Sequence, residues 1–180
     1  MAAVVAAGAL LAGGCGSDVE GTATSEGGVG ASTGASGQRQ AADLWDPCTQ
    51  ISDDLLIKIG VQPETKRSGV AQVEVEGWKV CEWHNDDFAL SVLSTDYTLD
   101  DIRNKEGNHE FAEVTVKGRQ GLRYRMTSDR RDEVCDIAFS ASQGALIVAI
   151  MNDSITSKNV VAPCTRAEAA GEVLVPALPD

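Results

Sequence analysis

Residues 134–151 read VCDIAFSASQGALIVAIM: two apolar, β-branched-rich runs, Val134 to Ala141 and Ala145 to Met151, broken by the turn-prone pair Gln143-Gly144. Runs of this length bounded by a glycine turn are strands, and a connection this short makes them antiparallel neighbours. Working toward the N-terminus, Leu122 to Thr127 and Ala112 to Lys117 are two further strands, separated by Lys117-Gly118 and followed by Ser128-Asp129. Val70 to Trp83, with Val73 and Val75 alternating against Gln72, Glu74 and Glu76, and Phe88 to Ser94 beyond Asn85-Asp86-Asp87, read as a hairpin.

Helix signals frame these strands. Asp46-Pro47 caps and opens a helix on which Cys48, Ile51, Leu55 and Ile59 share one face and which Gly60 stops. Thr98-Leu99-Asp100-Asp101 has capping-box spacing and starts a short helix ending near Gly107. Ala162-Pro163-Cys164 opens a last helix through about Leu174, with Pro176 beyond it. The expected fold is α+β: a meandering, mostly antiparallel sheet of five to six strands with N-terminal, middle and C-terminal helices packed on it.

The folded part is expected over residues 42–180, the size of one domain. Residues 16–41, beginning GSDVEGTATSEGG, lack large apolar side chains and cannot bury enough surface to offset their ordering entropy, so they read as a flexible Gly/Ser/Thr-rich tether. Before them, the uncharged run MAAVVAAGALLAGG is too short to span a bilayer and fits the apolar region of an export signal over residues 1–15. The basic residues that ordinarily precede such a run are missing, so the leader is expected to begin upstream of Met1.

Cysteine arithmetic agrees with export. The chain has five cysteines, Cys15, Cys48, Cys81, Cys135 and Cys164, and an odd count leaves one thiol over in an oxidising compartment. If Cys15 carries lipid, four remain for two disulfides. Cys48, in the first turn of the first helix, faces the hairpin that carries Cys81; Cys164 sits likewise in the last helix, directly after the strands containing Cys135. The expected pairs are Cys48–Cys81 and Cys135–Cys164, with Cys48–Cys164 as the competitor, two helices lying side by side on one sheet face. Spacings of about 30 residues or more without a close pair disfavour zinc.

The net charge of -12 and a pI near 4.5 argue against a nucleic-acid partner. No Gly-x-Ser-x-Gly elbow occurs, and no catalytic set, cofactor or metal site is assigned. His84 beside Asp86 and Asp87 reads as a polar turn before a metal or acid–base pair. His109 with Glu106, Glu110 and Glu113 reads as a solvated helix end. The basic set Lys117, Arg119, Arg123, Arg125, Arg130 and Arg131 stands out in an acidic chain, and Arg123 and Arg125, two apart on a strand with Tyr124 on the other face, are candidate contacts for a carboxylate or phosphate ligand. The bland alternative is pairing with acidic neighbours. Trp45, Trp78 and Trp83 are expected to fill the core near Cys48 and Cys81.

Leu10-Leu11-Ala12-Gly13-Gly14-Cys15, the Gly/Ser linker, Asp46-Pro47-Cys48 at a helix start, Cys81-Glu82-Trp83 on an early strand, Cys135 on a late strand and Cys164 near the end occur in an order that resembles the actinobacterial envelope lipoproteins grouped as domain of unknown function 3558. The lipobox-like segment departs from the usual pattern at Ala12, where a Leu is customary. A fainter likeness to extracellular sensor domains of mycobacterial receptor kinases, and to the Mog1p/PsbP-like fold, implies a reader of ligands or partners. The resemblance implies an exported protein on the outer face of the cell membrane, anchored in the lipid bilayer through Cys15. It brings no activity. The functional expectation is a non-enzymatic module binding an envelope protein or cell-wall ligand; the alternative is a small cell-wall hydrolase or metal-dependent enzyme.

Overall fold

The computed structural model describes residues 44–129, 131–153, 155 and 161–180. The expected leader over residues 1–15, with Cys15, and the expected tether over residues 16–41 lie outside the described residues, as does Arg130.

Asp46 caps the first helix as expected, its carboxylate accepting from the Cys48 N–H at 2.9 Å with Pro47 in the first turn. The single helix expected to run from there to Gly60 is two: α1 (Pro47–Gln50) and α2 (Asp53–Ile59). Ile51 and Ser52 are extended between them, with ψ of 125° and 152°. Asp53 and Asp54 then fall in a first turn, where the helix dipole favours acids, rather than in a helix interior where Ser and Asp are poor formers. The break also buries Ile51 in the core.

The first strand, β1 (Gln62–Ser68), was not legible as one. QPETKRS carries a proline and three charges, the composition of an edge strand, and it pairs only with β2 (Trp78–His84). The stretch from Val70, expected to start a strand, is a tight excursion between them. Val70 and Val73 exchange backbone hydrogen bonds of 2.9 and 3.0 Å around Ala71 and Gln72, both in the left-handed region. Gly69, with φ of 76°, enters this turn so closely that a Cβ would stand 2.5 Å from the Val73 carbonyl oxygen.

The remaining elements are β3 (Phe88–Thr95), α3 (Leu99–Asn104), β4 (Asn108–Val116), β5 (Arg119–Met126), β6 (Val134–Ala141), β7 (Gly144–Asn152) and α4 (Pro163–Leu174), closed by a 3-10 turn at Val175–Ala177. The Thr98–Asp101 capping box forms in both directions. All seven strands make one antiparallel sheet in the order β1-β2-β3-β7-β6-β5-β4. The α+β class holds, but there are seven strands rather than five or six. Two meanders, β1–β3 and β4–β7, are joined by the pairing of β3 with β7, from Phe88↔Asn152 to Thr95↔Ala145.

The central strands β6 and β7 are buried on both faces, which is why their apolar runs are nearly continuous. Helices α1, α2 and α4 lie on one face over Trp83, Leu90, Val92, Ile137, Phe139, Leu146, Val148 and Ile150. The disulfides Cys48–Cys81 and Cys135–Cys164, with Cα–Cα distances of 5.1 and 5.0 Å, staple α1 to β2 and α4 to β6. The opposite face packs Leu122, Tyr124, Ala138, Ala145 and Ile147 around Ile102 of α3, a helix of 6 residues. A helix that short cannot roof a seven-stranded sheet.

Candidate functional site

What α3 leaves uncovered is a cleft of about 330 Å³ on the open face of the sheet. Strand alternation sends Leu93 of β3, Asp136 of β6, Tyr124 of β5 and Ala149 of β7 to its floor, while Trp78 and Lys105 stand at its sides. Trp78 is held by Tyr97, ring centroids 5.7 Å apart, and by the Lys105 ammonium 5.8 Å from its ring centre. The Val70 turn forms part of the mouth.

Asp136 is the chemical feature of this cleft. It is 4% exposed, flanked across the sheet by Tyr124 on one side and Ala149 on the other. Among the described residues no group hydrogen-bonds its carboxyl. Burial pushes its pKa up to about 7, the charge of Asp129 adding to this and those of Lys105 and Arg125 opposing it. Burial, and secondarily the charge of Asp136, raises the Tyr124 phenol well above its ordinary value, so it stays protonated. The site therefore holds a carboxyl group whose charge is open to titration near neutral pH, inside walls that are largely aliphatic and aromatic.

The arginines expected to contact ligand sit elsewhere. Arg123 and Arg125 do share one face of β5 opposite Tyr124, but that is the helix side. Arg123 pairs with Glu168 of α4 at 3.0 Å. Arg125, its side chain 13% exposed, pairs with Asp129 at 3.2 Å and with Asp132, beside the Cys164 sulfur. Burial works against the Asp129 anion, yet the N–H groups of Val134, Glu133 and Arg131 and the Arg125 guanidinium outweigh it and hold its pKa low. Arg119 donates to the carbonyls of Ser140 and Pro179. Arg119, Arg123 and Arg125 thus serve intramolecular pairing.

His84 lines a second, shallower cleft of about 400 Å³ at the sheet edge with Glu82, Arg67, Arg131 and Glu133. His109 lies 3.5 Å from Glu110, and Glu113 pairs with Arg103. Among the described residues no three His, Cys, Asp or Glu side chains converge to hold a metal ion, and no helix is long and apolar enough to cross a membrane. Trp83 is 1% exposed in the helix-side core and Trp45 packs against it, as expected; Trp78 lines the cleft instead.

Asp136 escaped the sequence reading. Its one signal was a lone acid inside an apolar strand, where the even-numbered positions of VCDIAFSA face away from the disulfide.

This architecture defines a disulfide-stapled α+β domain with helices backing one face of an antiparallel sheet and an acid-floored cleft on the other. The chain belongs to the family described as protein of unknown function DUF3558, whose model matches residues 10–177. No curated protein and no solved structure matches it.

Proposed function

We infer that the chain is an exported envelope lipoprotein, anchored in the bilayer through Cys15, whose folded domain is a non-enzymatic binding module with the open-face cleft as its ligand site. The observation that carries the binding reading is Asp136. A buried carboxyl without a hydrogen-bond partner costs stability, and a cleft that keeps one at its floor is built for a group that arrives from outside. The tether of residues 16–41 would hold such a domain about 25 to 30 Å from the bilayer, within reach of envelope components. Non-enzymatic binding is favoured because the hydroxyl–carboxylate contact in the cleft, Ser91 donating to Glu82, is long at 3.5 Å, and no histidine lines the cleft among the described residues.

Native mass spectrometry of the protein taken from its own envelope tests this reading. A retained small molecule should be lost from Ala149→Phe, which fills the cleft floor while both disulfides stay intact. Retention unchanged in that variant would move the ligand site elsewhere.

A further inference from the structure

We propose that the open-face cleft takes a small amphiphile with an apolar body and a protonated amine head, the ammonium docking on the carboxyl group of Asp136. The inference rests on the cleft being the ligand site and names the class of ligand.

Charge and geometry select the head group. Asp136 is 4% exposed and aimed into the cleft with no internal donor. An ammonium supplies up to three donors and an opposite charge where the low local dielectric makes the pair strong. A carboxylate or phosphate head in the same place would set like charge beside Asp136. The Tyr124 ring directly across the strand pair and the Trp78 indole add aromatic faces of the kind that receive cations. Lys105, the cation nearest the site, is drawn to the Trp78 ring and pairs with no carboxylate in the ion pairs of the described residues.

The walls select the body. Leu93, Ile102, Met126, Ile147 and Ala149 present hydrocarbon around the carboxyl, and a volume of about 330 Å³ suits an unbranched chain or a single ring system. At the mouth Val70 is 51% exposed, and Val73, its partner across the same turn, is 62% exposed, neither belonging to the core, so an apolar tail leaving the cleft past Val70 meets more apolar surface.

Binding should depend on pH in one direction. Tyr124 of β5, Lys105 after α3 and Glu82 of β2 share the cleft with Asp136, while the charges of Asp129 after β5 and of Arg125, on the helix side of β5, also act on it. An alkylamine stays protonated throughout the neutral range, whereas the Asp136 carboxyl ionises near pH 7. Affinity should therefore rise by roughly tenfold or more between about pH 5.5 and 8.

Isothermal titration of the whole chain, with both disulfides formed, against octylammonium, octanol and octanoate tests the assignment. The expected result at pH 8 is octylammonium at least about tenfold tighter than the other two, with that preference gone and octanol affinity kept in Asp136→Asn. The preference in the unmodified chain needs no variant to fold. Equal affinity for all three, or a preference that survives in Asp136→Asn, overturns the amine assignment and leaves the cleft as a site for another class. No binding by any of the three also overturns it; the cleft reading itself is then decided by the mass-spectrometric comparison with Ala149→Phe.

Discussion

Tyr124 and Asp136 are direct cross-strand partners on β5 and β6, and both are almost wholly inaccessible, at 5% and 4% exposure. Two ionisable groups are thus placed side by side in a face otherwise made largely of aliphatic and aromatic side chains, where burial raises both and the charge of Asp136 further disfavours the Tyr124 anion. The protein keeps this polar pair at the floor of the cleft beside α3.

Asp136 should make the fold weaker as pH rises. Its carboxyl is held up to about 7 in the folded chain against an ordinary 3.8, so between those values the native state binds a proton that the unfolded chain has lost. The stability is complete below the unfolded value, declines as pH climbs toward 7, and is gone above it. The full difference is on the order of 4 kcal/mol. Thermal denaturation from pH 5 to 8 should show Asp136→Asn with a flatter profile and, at pH 8, a higher melting temperature than the parent. An identical slope in both proteins would show that another group governs this range.

Arg125 should matter far more to stability than Arg123. The Arg125 guanidinium and Asp129, with side chains 13% and 5% exposed, form a network under the Cys135–Cys164 disulfide. Arg125→Ser leaves the Asp129 carboxylate with its backbone donors alone and should cost about 3 kcal/mol. Arg123→Ser removes a pair whose members are 35% and 44% exposed and should cost less than about 1 kcal/mol. Urea unfolding of the two single variants separates them, and equal losses would contradict the network.

Each disulfide closes a loop, 33 residues for Cys48–Cys81 and 29 for Cys135–Cys164. Loss of either should lower stability by about 3 to 4 kcal/mol in the chain-entropy model. Non-reducing peptide mapping should recover the two sequential pairs. A Cys48–Cys164 peptide would mean that the native protein oxidises differently.

Lipidation at Cys15 predicts a phase change. Expressed with a complete leader in an actinobacterial host, the protein should partition into detergent, and Cys15→Ser should move it to the aqueous phase. Equal membrane retention of the Ser variant would sink the anchor.

Much of this fold is written in local signals. Asp46-Pro47, the Thr98–Asp101 box and Pro163 mark helix starts because capping and ring geometry act within four residues. Val134–Ala141 is a strand over the very residues its apolar run spans, since a strand buried on both faces must be apolar throughout. The sequential disulfides follow from which helix lies nearest which strand along the chain. Other features were settled only by tertiary contact. Gln62–Ser68 becomes a strand because β2 offers it a hydrogen-bonding edge, although its own residues are polar and include Pro63. The helix from Pro47 breaks at Ile51 because that side chain is drawn into the core. The joining of β3 to β7 pairs residues as far apart along the chain as Phe88 and Asn152, a pairing that no local pattern encodes. The environment of Asp136 follows from the same assembly: a lone acid in a strand is polar surface or buried carboxyl depending on what its neighbours in space are, and here they are Tyr124, Ala149 and an uncovered sheet face.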